Sequence, residues 1–193
     1  MTTKKRGRPQ KDSNTLSKKL IIETAKKLMI DGGKIPSIRS LSSQLNIDAM
    51  AIYYYFKNKN VLLEALTTSL ISEIYQPQKT LEWEVELRKL SKSYIALLSK
   101  YDGLLQTLLT MKSISPANVF ISRFKIIIKE LNMNVSIEKA ALNLLADYLH
   151  GFSFSMSCDS TGKLNVDDID ESLDIIFNGI NALIGRSCNI LSE

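Results

Sequence analysis

Residues 48–60 read Asp-Ala-Met-Ala-Ile-Tyr-Tyr-Tyr-Phe-Lys-Asn-Lys-Asn, with three phenols and two lysines in close succession. A tyrosine joins a flat apolar ring to a hydroxyl that reaches a phosphate oxygen, a base edge or water, and a lysine adds a point charge. Together these residues can bind a polyanion. Catalysis has little to draw on elsewhere. The single histidine, His150, and the two cysteines, Cys158 and Cys188, cannot assemble a zinc site. No glycine loop cradles a phosphate, and the acid pair Asp167-Asp168 sits in a polar loop, where it reads as charge at a helix N-terminus. The expectation is a binding protein without cofactor or metal, not an enzyme.

A small helical core must hold the rings outward. Ile52 and Phe56 lie four apart on a helix expected over 49–56, so both face inward and Tyr53, Tyr54 and Tyr55 take the remaining arc. Tyr53, next to Ile52, is the tyrosine expected to pack partly against the first helix. Asp48 caps this helix. Ser37 caps a short helix over 37–44, in which Ile38, Leu41 and Leu45 recur at inward spacing. Between the two lies Leu45-Asn46-Ile47, where Asn46 tolerates the left-handed backbone of a tight turn. A first helix over 16–31 carries the stripe Leu16, Leu20, Ala25, Leu28 and Met29 and stops at Gly32-Gly33. Two short helices joined by three residues form a helix-turn-helix. An eight-residue helix, about 12 Å long, suits a major groove about 12 Å wide.

Charge supports the same partner. Residues 1–60 hold 13 Lys and Arg against 4 Asp and Glu, and the rest of the chain holds 12 against 16. A basic head on a mildly acidic body meets a polyanion at one end only. Double-stranded DNA is favoured over a membrane surface, because the N-terminus has no amphipathic helix rich in aromatics. Residues 1–14 form a flexible basic arm in which Arg6-Gly7-Arg8-Pro9 resembles the core of an AT-hook, whose arginines enter a narrow minor groove; the plainer alternative is a solvated basic tail. No signal peptide and no run of 18 apolar residues is visible, so a cytoplasmic location with reduced cysteines in small structural roles is expected.

The stretch 16–66 resembles the TetR family of bacterial transcriptional regulators. The resemblance rests on Ser37-Ile38-Arg39-Ser40-Leu41, Leu45-Asn46-Ile47, Ile52-Tyr53-Tyr54-Tyr55-Phe56-Lys57-Asn58-Lys59 and Leu62-Leu63-Glu64-Ala65-Leu66. Asn46 replaces the usual turn glycine, and Tyr55 replaces the usual histidine. The resemblance implies that Arg39 reaches a base edge, that Ser37 touches the DNA backbone, and that Tyr53 and Tyr55 bind phosphates. It further implies that Tyr54 lies over bases or sugar, that Lys59 holds a phosphate with Lys57 extending the same surface, and that Ala49, Met50 and Ala51 sit where some relatives read bases.

The remainder, 61–193, reads as helices over about 59–75, 83–100, 102–112, 116–131, 136–157 and 169–186, with a polar loop at 158–168. The fold class is therefore all-α: a three-helix head over 15–60 and a helical ligand-binding and dimerisation domain over 61–193. This body resembles, more loosely, that of the tetracycline-repressor branch. The resemblance implies a homodimer made by the helices at 137–157 and 169–186, with Leu145, Leu149, Phe152, Met156, Leu173, Phe177 and Ile180 at the interface. An effector pocket would be apolar, lined by Leu104, Leu105, Leu108, Met111, Phe120, Phe124 and Phe152. Thr107, also counted in this pocket, stands where that branch places its metal-contacting histidine. His150, alone in the expected dimer helix, reads as a packed and hydrogen-bonded residue. Two functions fit: a repressor released from a palindromic operator by a small apolar ligand, or a DNA-binding regulator without such an effector, controlled by a protein partner or by abundance.

Overall fold

The computed structural model describes residues 16–78, 82–101 and 103–190, with the backbone alone over 186–190. Arg6, Arg8 and the side chain of Cys188 lie outside the described residues. The elements are α1 (Lys18–Gly32), α2 (Ile38–Leu45), α3 (Ala49–Tyr55), α4 (Lys59–Ile71), α5 (Trp83–Lys100), α6 (Leu104–Thr110), α7 (Ser115–Ile128), α8 (Val135–Cys158) and α9 (Asp170–Ile190), with short 3-10 turns at Lys129–Leu131 and Val166–Ile169. No strand occurs among the described residues. Among them, too, no helix is long and apolar enough to cross a membrane.

Ser17 starts α1 by accepting the Leu20 N–H, and Gly33 ends it in the left-handed region at φ 57°. The deepest stripe of α1 is Ile21, Ala25 and Met29, while Leu16 and Leu28 are only partly buried. It is offset from the expected stripe, and α1 packs against both α2 and α4. Ile21 and Met29 each contribute about 1.5–3 kcal/mol by leaving water, and Ala25 less.

α4 belongs to both ends of the molecule. One side packs on α1 and the other on α7. Its buried Leu62, Leu66 and Leu70 join the cores of head and body into one apolar cluster. In the body, α5 is the central column, contacting α7, α8 and α9. Its outer edge is ion-paired: Arg88 meets Asp170 and Asp174, and Lys92 meets Asp167 and Asp170. The acid pair expected to serve a helix terminus therefore divides its work. Asp168 closes a capping box with Asn165, and Asp167 reaches across to Lys92.

Candidate functional site

Side-chain caps shape the head. The Ser37 hydroxyl oxygen accepts the Ser40 N–H at 3.0 Å and starts α2, which leaves Arg39 exposed on its first turn. Asn46 adopts φ 52° and ψ 48°, and its N–H donates to the Ser42 and Ser43 carbonyls, so the turn closes without glycine. Asp48 accepts the Met50 N–H at 2.7 Å and starts α3. Asn58 accepts the Val61 N–H at 3.0 Å and starts α4, with Lys59 as its first residue.

Ile52 and Phe56 are buried, as the four-residue spacing requires. Met50 is then 70% exposed, Tyr54 86% and Tyr53 38%. Ala49 and Ala51 are half-buried beside them, and Ser37, Lys57 and Lys59 are exposed. Tyr55 goes the other way. It packs against the core, and its hydroxyl donates to the Leu16 carbonyl at 2.7 Å. The inward tyrosine is therefore Tyr55, not Tyr53. Helix geometry gives the reason: three residues fall about 60° short of a full turn from Ile52, whereas one residue lies about 100° away. The phosphate contact implied for Tyr55 is corrected on this ground, because its one proton is spent inside the head. What Tyr55 does is tie the chain ahead of α1 to α3.

The body holds a cavity of about 340 Å³ between α4, α5, α6, α7 and α8. Leu108, Met111 and Phe120 line it, as expected. Leu105 instead lines a wider cleft of about 640 Å³ along α5, α6 and α8 that shares Leu109 and His150 with the first. Leu104 and Phe124 are fully buried core, and Phe152 packs against Tyr148 and the core. Thr107 donates to the Gly103 carbonyl within α6 and lines neither space.

The sequence reading missed two features here. Tyr94 and His150 meet on the cavity wall, with the hydroxyl 2.9 Å from Nε2. Burial lowers the His150 pKa, opposed by nearby Asp147, and burial raises that of Tyr94. The signal was present in the sequence, because Leu142, Ala146 and His150 recur every fourth residue along α8 and all line the cavity. The second feature is a set of ties between α7 and α4. The buried Arg123 guanidinium donates to the carbonyls of Ile71, Ser72 and Ile74 that end α4. At the other end of α7, Ser115 donates to the Glu64 carboxylate at 2.6 Å. Hydrogen bonds from Ser115 and then Ser113 hold Glu64 below the usual carboxylate range. No sequence spacing announces either tie.

Five of the seven residues expected at a dimer interface are buried within the protomer: Leu145, Leu149, Leu173, Phe177 and Ile180. Both helices, α8 and α9, pack on α5, where Trp83 meets Phe177 edge-on at 5.2 Å. Phe152 and Met156 are partly buried against the same core. The large apolar side chains that α8 and α9 leave exposed are instead Val135, Leu144, Phe154, Ile175 and Leu183.

No family model matches the chain. Over 69 residues it is 35% identical to the tetracycline repressor protein class G of Vibrio anguillarum, a match spanning 34% of this chain and about a third (33%) of that protein. Apo ActR from Streptomyces coelicolor superposes with a TM-score of 0.74 at 15% identity, covering 89% of this chain and 98% of ActR. BioQ from Mycobacterium smegmatis gives 0.71 at 16%, covering 88% and 99%. A BioQ structure with its natural double-stranded DNA operator gives 0.70, covering 86% and 98%. The turn and tyrosine motif and the local match resemble a tetracycline repressor over about a third of its length, and the whole-chain fold is that of ActR and BioQ.

Proposed function

We propose that this chain is a DNA-binding transcriptional repressor that acts as a homodimer on a palindromic operator and leaves it when a small apolar ligand enters the body. The observation that carries the reading is the placement of α4. Its first residue, Lys59, lies on the exposed basic face of the head, and its last, Ile71, lines the cavity about 20 Å away. A ligand seated between Ile71 and the α7 residues Pro116 and Phe120 bears directly on the α4–α7 seam that Arg123 and Ser115 fasten. If the ligand binds one arrangement of that seam better than the DNA-bound arrangement, the population shifts and the heads move.

In the head, Arg39 reads a base edge. Tyr53, Lys57 and Lys59 hold phosphates, with Ser37 donating its free proton. Tyr54 and Met50 lie against bases. In the body, Leu144, Phe154 and Ile175 on α8 and α9 meet their copies in a four-helix bundle. That arrangement hides apolar surface a monomer would leave in water and sets the two recognition helices about 34 Å apart. BioQ has been solved with its DNA operator and ActR with actinorhodin, so proteins of this fold bind both kinds of partner, which supports the reading. The cavity favours this reading over a regulator without effector. A titration of labelled operator DNA with neutral and cationic apolar compounds tests it. A releasing compound must itself bind less tightly, by the same factor, when DNA is present. A broad screen without release would leave the effector-free regulator.

A further inference from the structure

The cavity wall carries a polar pair, and Ser113 and Asn143 add polar lining elsewhere. The Tyr94 oxygen and His150 Nε2 face each other at 2.9 Å, and the Tyr94 ring lies 4.9 Å from that of Phe120. Most of the remaining lining is aliphatic, including Ile71, Leu108, Pro116, Ile121, Leu142 and Ala146. No Lys, Arg, Asp or Glu lines it. Arg123, on a neighbouring turn of α7, is committed to the carbonyls that end α4, and Asp147 lies on the exposed side of α8.

A charged ligand would enter such a wall without a counter-ion and lose its hydration. An uncharged ligand with no polar group would bury the Tyr94–His150 pair with hydrogen-bonding capacity unfilled. The pair has two neutral arrangements. With the tyrosine proton on the shared bond, the Tyr94 oxygen still accepts a bond from a ligand. With the imidazole proton there, Tyr94 O–H is free to donate. A hydroxyl group both donates and accepts, so either arrangement serves it.

We propose that the cavity takes an uncharged aromatic hydroxyl compound, with its hydroxyl on the Tyr94–His150 pair and its rings between Phe120 and the aliphatic wall. The proposal rests on the cavity being a ligand site, as read above, and makes Tyr94 and His150 its specificity-determining residues.

The test titrates 2-naphthol, naphthalene and 2-naphthoate into the full chain without DNA, each followed by its own fluorescence. 2-Naphthol should bind about fivefold to tenfold more tightly than naphthalene, the contribution of one buried hydrogen bond, and 2-naphthoate should bind weakest. In Tyr94→Phe and His150→Leu, the preference for 2-naphthol over naphthalene should fall to near unity while naphthalene affinity is kept. Thermal melting identifies a variant that has lost its fold, and the other variant then decides. Equal binding of 2-naphthol and naphthalene, tightest binding of 2-naphthoate, a preference that survives in both variants, or no binding of any probe would each overturn the proposal. A separate arm adds operator DNA at saturating 2-naphthol. If the preference holds but the DNA stays bound, the ligand class stands and the effector reading falls.

Discussion

The head and the body place their polar chemistry on opposite sides of the surface. The head keeps a small core and turns Arg39, Met50, Tyr53, Tyr54, Lys57 and Lys59 outward. The body directs Tyr94, His150 and Arg123 inward and leaves outside ion pairs and scattered apolar side chains, among them Leu109, Ile114, Leu144, Phe154 and Ile175. An exposed face of lysine and tyrosine gains energy only from a partner that brings the opposite charge, and it loses that energy to salt. A neutral pair in an apolar cavity ignores salt and selects by shape and hydrogen bonding. The two ends should therefore respond to different variables, and each of the following experiments tests that separation.

The largest contrast is with ionic strength. Between about 50 and 200 mM salt, affinity for duplex DNA should fall by about a thousandfold or more if six or more phosphates are neutralised, while binding of a neutral ligand to the body should not change. A flat DNA response in filter binding or anisotropy would remove the distinction. Next come the two faces of the long helices. Leu149→Ala empties a fully buried site and should cost about 2–5 kcal/mol in urea unfolding, with self-association unaltered. Ile175→Asp, at a site 74% exposed, should do the reverse, yielding a stable monomer in sedimentation that has lost affinity for a two-half-site operator. If Leu149→Ala shifts the monomer–dimer equilibrium instead, the assignment of faces is wrong.

Within the head, Arg39→Ala should cost about 1–3 kcal/mol on the cognate site and relax preference at one position per half-site, whereas Lys59→Ala should weaken all sequences alike and lower the salt slope by about one. Identical behaviour on cognate and scrambled DNA would merge the two roles. Tyr55→Phe should cost about 1 kcal/mol of stability, from the lost bond to Leu16, and leave DNA affinity nearly intact at temperatures where the head is folded. Tyr54→Ala should show the opposite pattern. A Tyr55→Phe protein of unchanged stability but weak DNA binding would return that hydroxyl to the DNA.

The smallest effect is that of pH. Burial depresses the His150 pKa from its ordinary 6.5, so just below that value the unfolded chain takes up a proton that the folded chain refuses. Stability should then decline as pH falls below about 6.5, and the decline should be absent in His150→Leu. The carboxylates act later. Asp170, lowered chiefly by Lys92, loses its stabilising partners only when the pH falls below the ordinary 3.8.

Much of the head was legible because its determinants are local. Ser37 and Asp48 cap helices two or three residues away, Asn46 sets one backbone angle, and Ile52 and Phe56 define a face by spacing alone. Which of three adjacent tyrosines turns inward was decided elsewhere, by the Leu16 carbonyl 39 residues earlier. In the body, periodicity located the helices but not which apolar stripe is inner and which outer. α8 carries Leu144 and Leu145 side by side, and only the packing of α5 decides that Leu145 is buried and Leu144 is left outside.

By itself, then, the sequence determined an all-α chain with a basic helix-turn-helix end, because caps, turns and helical stripes depend on neighbours a few residues apart. The tertiary structure alone decided what the body can do. Tyr94 meets His150 across 56 residues, Ser115 meets Glu64 across 51, and Arg123 closes the end of α4 across about 50. Such contacts depend on how whole helices are placed by the burial of their apolar faces, a nondirectional force that leaves no spacing in the chain to be read.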